Sequence, residues 1–134
     1  VGTGIGLRQP HVALFMDSTP NINWLEVHSE NYLQENSKRR YQLRQIRHNY
    51  AISCHGIGLS LGSADGLNLD HIGSLKALFD DIEPTLVSEH LSWSSADGRY
   101  FNDLLPLPYT QECLDHMISR VNQTQTLLNR TILI

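Results

Sequence analysis

A repeated strand ending constrains this fold more than anything else in the sequence. Ser53-Cys54-His55 and Ser88-Glu89-His90 each close a short apolar run with Ser-x-His, 35 positions apart. That separation is about one strand–helix unit of a parallel α/β fold. The chain between the two endings agrees. Asp70 is placed to cap a helix carrying Ile72, Leu75, Leu78, Phe79 and Ile82 at helical spacing, and Pro84 follows to end it.

The same alternation extends outward. Residues 4–8 predict a short first strand and 11–16 a weak helix. Residues 24–29 alternate apolar and polar, as a strand does. Residues 37–49 (SKRRYQLRQIRHN) predict a helix with Tyr41, Leu43 or Arg44, and Ile46 facing inward. After His90 a long loop is expected, holding Asp97-Gly98, Pro106 and Pro108. Thr110 then caps a helix whose apolar stripe is Leu114, Met117, Ile118, Val121 and Leu128. Residues 131–134 (TILI) open a fifth strand. Strands apolar on both faces and alternating with helices predict an α/β fold of parallel units from a TIM-type barrel. The expectation is one domain over 1–134, an incomplete barrel of about half the full set. A start at Val1 and a last strand that stops at Ile134 suggest a piece of a longer protein.

Composition narrows the function. A length of 134 residues buries roughly two thirds of the unfolded surface, and 40% hydrophobic with 18% charged residues suits a folded domain. A net charge of -4 offers no electrostatic case for nucleic acid. The basic run Lys38-Arg39-Arg40, Arg44 and Arg47 lies along one helix and reads as a solvated face. No apolar run approaches the roughly 20 residues that span a bilayer, so no membrane partner is expected and a cytoplasmic location is. Cys54 and Cys113 lack metal-finger spacing and read as small buried residues. Gly2 to Gly6 lacks the Lys-Ser/Thr ending of a phosphate loop.

In parallel α/β folds the carboxyl ends of the strands carry the site. Side chains alternate along a strand, so Ser53 with His55, and Ser88 with His90, share a face. Glu26, His28 and, if the strand continues, Glu30 share a face of their own. Imidazoles and carboxylates gathered on one rim suit a metal such as iron, zinc or manganese. Glu26 either lines that site or pairs with Arg8. Glu30 and Asn31 either line it or cap the following loop. Asp65, in the glycine-rich loop with Gly56, Gly58 and Gly62, either binds metal or forms an Asx-turn. His11, His48, His71 and His116 read as surface residues.

The segments WLEVHSENY (24–32), SCHGIGLSLGSAD (53–65), LVSEHLSW (86–93) and DGRYFNDLLPLPYT (97–110) together resemble the family known as domain of unknown function 692. That family includes the multinuclear iron oxidases of MbnB and TglH type. The resemblance implies a TIM-type barrel that uses two or three irons and dioxygen to remodel cysteines in a ribosomally made peptide, with a partner protein presenting the peptide. It implies that His55 and His90 ligate iron, that Glu26 and Glu30 stand beside the cluster with Asp65 a weaker candidate, and that Gly56, Gly58, Gly62, Asn31, Asn102 and Asp103 belong to pocket loops. Ser53 and Ser88 would help to position the imidazoles. In that family the strand continuing past Ile134 runs into a glutamate and an Asn-Pro turn; that glutamate and the later ligands are absent here, so this chain would hold half a site and possess no activity or iron by itself. Two alternatives stay open: another divalent-metal barrel enzyme, such as a sugar isomerase or phosphodiesterase, and an inert half-barrel that self-associates through open sheet edges.

Overall fold

A computed structural model describes residues 2–134. Four parallel strands lie side by side in chain order: β1 (Gly4–Gly6), β2 (Trp24–His28), β3 (Ala51–Gly56) and β4 (Leu86–Glu89). The crossovers between them carry α1 (Val12–Asp17), α2 (Lys38–Arg47) and α3 (Leu69–Ile82). The chain is thus α/β, built from parallel units that are compatible with a partial TIM-type barrel. After α4 (Gln111–Leu128), Leu133 pairs with Ser88 in parallel and exchanges backbone hydrogen bonds of 2.9 and 3.0 Å with Val87 and Glu89. The expected fifth strand is present as this one bridge beside β4. β1 forms the other edge of the sheet.

Strand alternation decides which residues are buried. Leu25, Val27, Ile52, Cys54 and Val87 point to the helix side, where they join Leu43 and Ile46 of α2 and Ile72, Leu75, Leu78, Phe79 and Ile82 of α3 in one buried cluster. Each large side chain buried there is worth roughly 1.5–3 kcal/mol. The opposite strand face carries Trp24, Glu26, His28, Ser53, His55 and Ser88, and most of it stays half-exposed.

Several helix details differ from expectation, each for a local reason. In α2 the inward residues are Arg40, Leu43 and Ile46, while Tyr41 is exposed. Arg40 is only 1% exposed. It donates to Asp81 at 2.6 Å, to the Ala77 carbonyl at 2.6 Å and to the Leu33 carbonyl at 3.3 Å. Arg44 also reaches Asp81, and Arg47 donates to the Ile82 and Glu83 carbonyls. Arg40, Arg44 and Arg47 therefore form a seam joining α2 to α3, because a long guanidinium stem crosses a helix interface that periodicity assigns to apolar residues, while Lys38 and Arg39 stay exposed as a solvated face. α3 is capped by Asn68, which accepts from His71 N at 3.0 Å, and Asp70 falls in the first turn. Thr110 caps α4 as expected, accepting from Cys113 N at 3.2 Å. Met117, Thr124 and Leu128 face the core, whereas Leu114 and Ile118 lie on a second apolar flank that stays exposed.

The expected loop after β4 is an antiparallel hairpin, β5 (Trp93–Ala96) and β6 (Arg99–Leu105). Its turn is Asp97-Gly98, with φ of 51° and 71°. Positive φ at both central positions matches the twist of the flanking strands, and glycine adopts it without steric cost. The Asp65 carboxylate accepts from the backbone N–H of Asp97 at 3.0 Å and of Gly98 at 3.2 Å. Ser60 Oγ accepts from Ser94 N and Ser95 N, and Ser63 donates to the Ser95 carbonyl. The hairpin is thereby stitched onto the glycine-rich loop that follows β3.

Candidate metal centre

Parallel register builds the site row by row. Glu26 pairs with Ser53, and Ser53 with Leu86; one step nearer the carboxyl ends, His28 pairs with His55, and His55 with Ser88. Registered residues of parallel strands share a face, so His28 and His55 stand side by side at the rim with Ser88 next in the row. His90 follows β4 on the face of Ser88 and leans back over His55. The ring centroids are 5.9 Å apart for His28 and His55, and 4.6 Å for His55 and His90. His55 Nε2 meets His90 Nε2 at 2.8 Å, and His55 Nδ1 meets Ser88 Oγ at 2.8 Å.

These contacts select a protonation state. Burial, then the neighbouring His90, pushes the His55 pKa below its ordinary 6.5, so its imidazole is neutral at neutral pH. Ser88 Oγ holds the ring through Nδ1 and leaves Nε2 facing His90. A neutral imidazole oriented through its other nitrogen is the form that ligates metals.

The other expected site residues distribute unevenly. Glu26 is half-buried on the strand face beneath His28, near enough for its charge to act on His55. Arg8 does not pair with Glu26; it donates to His28 Nε2 at 3.0 Å. Ser88 positions the imidazole of the neighbouring strand, while Ser53 is buried and, among the described residues, bonds neither imidazole. Glu30 does not continue the strand, because Ser29–Tyr32 turns into a 3-10 helix. Its carboxylate accepts instead from Ile57 N and Gly58 N, both at 2.9 Å, and so holds the glycine loop. Asp65 is occupied by the hairpin turn and does not reach the imidazole row. Asn102 and Asp103 lie exposed on β6, and the Asp103 carboxylate accepts from Leu104 N. Asn31 is exposed and lines a small cavity with Arg8 and His28. His11 and His48 are on the surface as expected, but His71 and His116 are half-buried. His116 bonds the Ser63 carbonyl at 2.9 Å.

A second polar group, not anticipated, sits on the opposite face of the strand ends. Glu89 is 4% exposed; burial pushes its carboxyl up to about 7, the His90 N–H opposes that, and the Glu30 charge adds to it. A Cβ on Gly56 would lie 2.5 Å from Glu89 Oε2, and one on Gly58 would lie 2.8 Å from His71 Nε2. These glycines leave the room that the acidic and imidazole groups occupy. Gly62 is similarly closed in by Leu107 and Ser92. Burial raises the Glu30 pKa, but the His71 ring, 3.6 Å away, and the Ile57 and Gly58 N–H groups outweigh it and bring the carboxyl below its ordinary value. Glu30 Oε2, His71 Nε2 and Glu89 Oε2 are buried without a hydrogen-bond partner. The available signal for Glu89 was its place between Ser88 and His90 at a strand end. Cys54, by contrast, is the inert residue expected: burial pushes its thiol up to about 12.

Among the described residues no group of three His, Cys, Asp or Glu side chains is placed to hold a metal. A cavity of about 570 Å³ lies between the hairpin and α4 and is lined by none of the rim imidazoles. No helix among the described residues is long and apolar enough to cross a membrane.

Comparison with known families bears on the same segments. Residues 2–134 match the family described as RiPP precursor modification enzyme MbnB/TglH/ChrH. The chain belongs to the MbnB/TglH/ChrH family. Relatives extend the match: a UPF0276 protein of Vibrio vulnificus is 56% identical over 131 residues, covering 98% of this chain and 45% of that protein. One from Acaryochloris marina is 52% identical over 133 residues, covering 99% and 48%. One from Caulobacter vibrioides is 38% identical over 134 residues, covering 99% and 48%. The chain spans about half the length of these relatives.

Proposed function

We propose that the His55–His90 rim is part of a metal centre, and that the longer protein of relative-like length is a multinuclear iron oxidase. Its substrate would be cysteine residues of a ribosomally made peptide, presented by a partner protein. The observation that supports this reading is the 2.8 Å approach of two imidazole Nε2 atoms, one of them oriented by Ser88. Two imidazole nitrogens brought this close fit two ligand positions of one ion, and an N/O donor set suits iron. Glu26, on the same strand face, is the nearest candidate carboxylate. Two imidazoles do not complete a site, so the remaining ligands would come from other parts of the longer protein.

When bound, iron would supply oxygen activation and a thiolate-binding position. This chain's residues would do the rest. His55 and His90 bring their Nε2 atoms together, and Ser88 orients the His55 ring. Glu30 clamps the loop at Ile57 and Gly58, and the hairpin is tied to the same loop through Ser60, Ser63 and Asp65. In this reading residues 1–134 are the amino-terminal portion of a single barrel domain.

Metal analysis with absorption or Mössbauer spectroscopy on the full-length protein tests the proposal, together with oxygen uptake on a cysteine-containing peptide. Stoichiometric iron that is lost in His55→Ala and in His90→Ala is expected. Full iron occupancy in both variants, or no iron in the parent, overturns it.

A further inference from the structure

We infer that the small cavity beside His28 is a binding site for a compact oxyanion, a carboxylate or a phosphate. The cavity has a volume of about 150 Å³, room for a group of a few heavy atoms. Buried Tyr32 forms part of its floor, and Arg8, Arg39, Gln9, Asn31 and His28 surround it. No Asp or Glu lines it.

The two arginines set this cavity apart. Arg8 follows β1 and Arg39 lies in α2, so tertiary structure alone brings them together. Arg40, Arg44, Arg47, Arg120 and Arg130 each donate to a carboxylate or a carbonyl. Arg8 has His28 Nε2 as its one described partner, and among the described residues Arg39 has no hydrogen-bond or ion-pair partner. A guanidinium carries five N–H donors in a planar fork that matches carboxylate and phosphate oxygens. Both arginines are exposed residues at the edge of the cavity, and no carboxylate lines it, so a compact anion entering there meets two guanidinium groups and no opposing charge. The Asn31 and Gln9 amides add neutral donors.

Position gives the site its consequence. His28 lies 5.9 Å from His55, centroid to centroid, so a bound oxyanion would sit at the end of the imidazole row. A peptide carboxylate held there would place the rest of the substrate along that row; this role rests on the proposed function, whereas the binding itself does not.

The test uses full-length protein with metal removed by chelation, so that it is independent of whether the imidazoles hold a metal. Sodium acetate and inorganic phosphate are titrated separately, followed by the NMR signals of the arginine Nε–H groups and by calorimetry. Saturable binding is expected, weakened at least tenfold in Arg8→Gln and in Arg39→Gln and less in Arg8→Lys, which retains charge without the fork. Arg99→Gln, on the exposed hairpin, should leave it unchanged, and thermal unfolding verifies that each variant is folded. Acetate saturation points to a carboxylate source and phosphate saturation alone to a phosphate source. No saturable binding of either, or affinity in the two Gln variants equal to that of the unsubstituted protein, overturns the inference.

Discussion

Two charged clusters flank α3, and they are resolved in opposite ways. On the seam with α2, Arg40, Arg44 and Asp81 satisfy one another, and the remaining Arg40 donors find the Ala77 and Leu33 carbonyls. At the strand ends, Glu30, His71 and Glu89 approach one another, yet one atom of each is buried and unpartnered. Leaving such an atom unpaired costs about 1–3 kcal/mol. The seam is a structural tie. The strand-end cluster spends stability directly behind the rim that carries His55 and His90, which is where a functional site departs from optimal packing.

The largest effect should come from breaking the seam. Asp81→Ala leaves Arg40 buried without its carboxylate and should cost about 4 kcal/mol in denaturant unfolding; a loss below about 1 kcal/mol would show that the two carbonyls suffice.

Acid should separate the clusters by sign. Arg44, then Arg40, holds the Asp81 carboxyl below its ordinary 3.8 against the opposing effect of burial. Its stabilisation is present above that value and is lost as pH falls further. Glu89 behaves in the opposite way, because its folded value of about 7 lies above the ordinary 4.5. The folded state binds the extra proton between these values, so stability should rise as pH falls from about 8 towards 4.5, by up to about 3 kcal/mol. Glu89→Gln should flatten that rise and leave the acid limb below pH 4 in place; thermal melts across pH measure both.

Gly56→Ala puts a methyl group 2.5 Å from Glu89 Oε2. A loss of about 2 kcal/mol is expected in unfolding experiments, and a neutral outcome would mean that the Glu89 side chain has room to move aside. The smallest effect lies far from either cluster. Thr110→Ala removes the cap of α4 and should cost about 1 kcal/mol, visible as a modest drop in Tm.

Much of this was legible in local sequence. The Ser-x-His endings, the strand–helix alternation and the Thr110 cap depend on short spacings, and the structure has parallel strands and a capped α4 in those places. The hairpin was legible too, since Asp97-Gly98 between alternating residues is a strong turn signal, but the two nearby prolines favoured a loop reading. Arg40 was not legible: its partner Asp81 is 41 positions away, and an arginine with no visible acceptor looks solvated.

What the sequence determined by itself is the four parallel strands and their direction, because hydrophobic period and glycine or proline punctuation act within a few residues. It also placed both imidazoles at strand ends. Register and packing between distant segments decided the rest. They laid His90 against His55, gave Arg8 to His28 instead of Glu26, turned Asp65 to the hairpin and buried Glu89. Each outcome depends on which groups across the fold can satisfy a charge or a hydrogen bond, and that depends on distances no local pattern encodes.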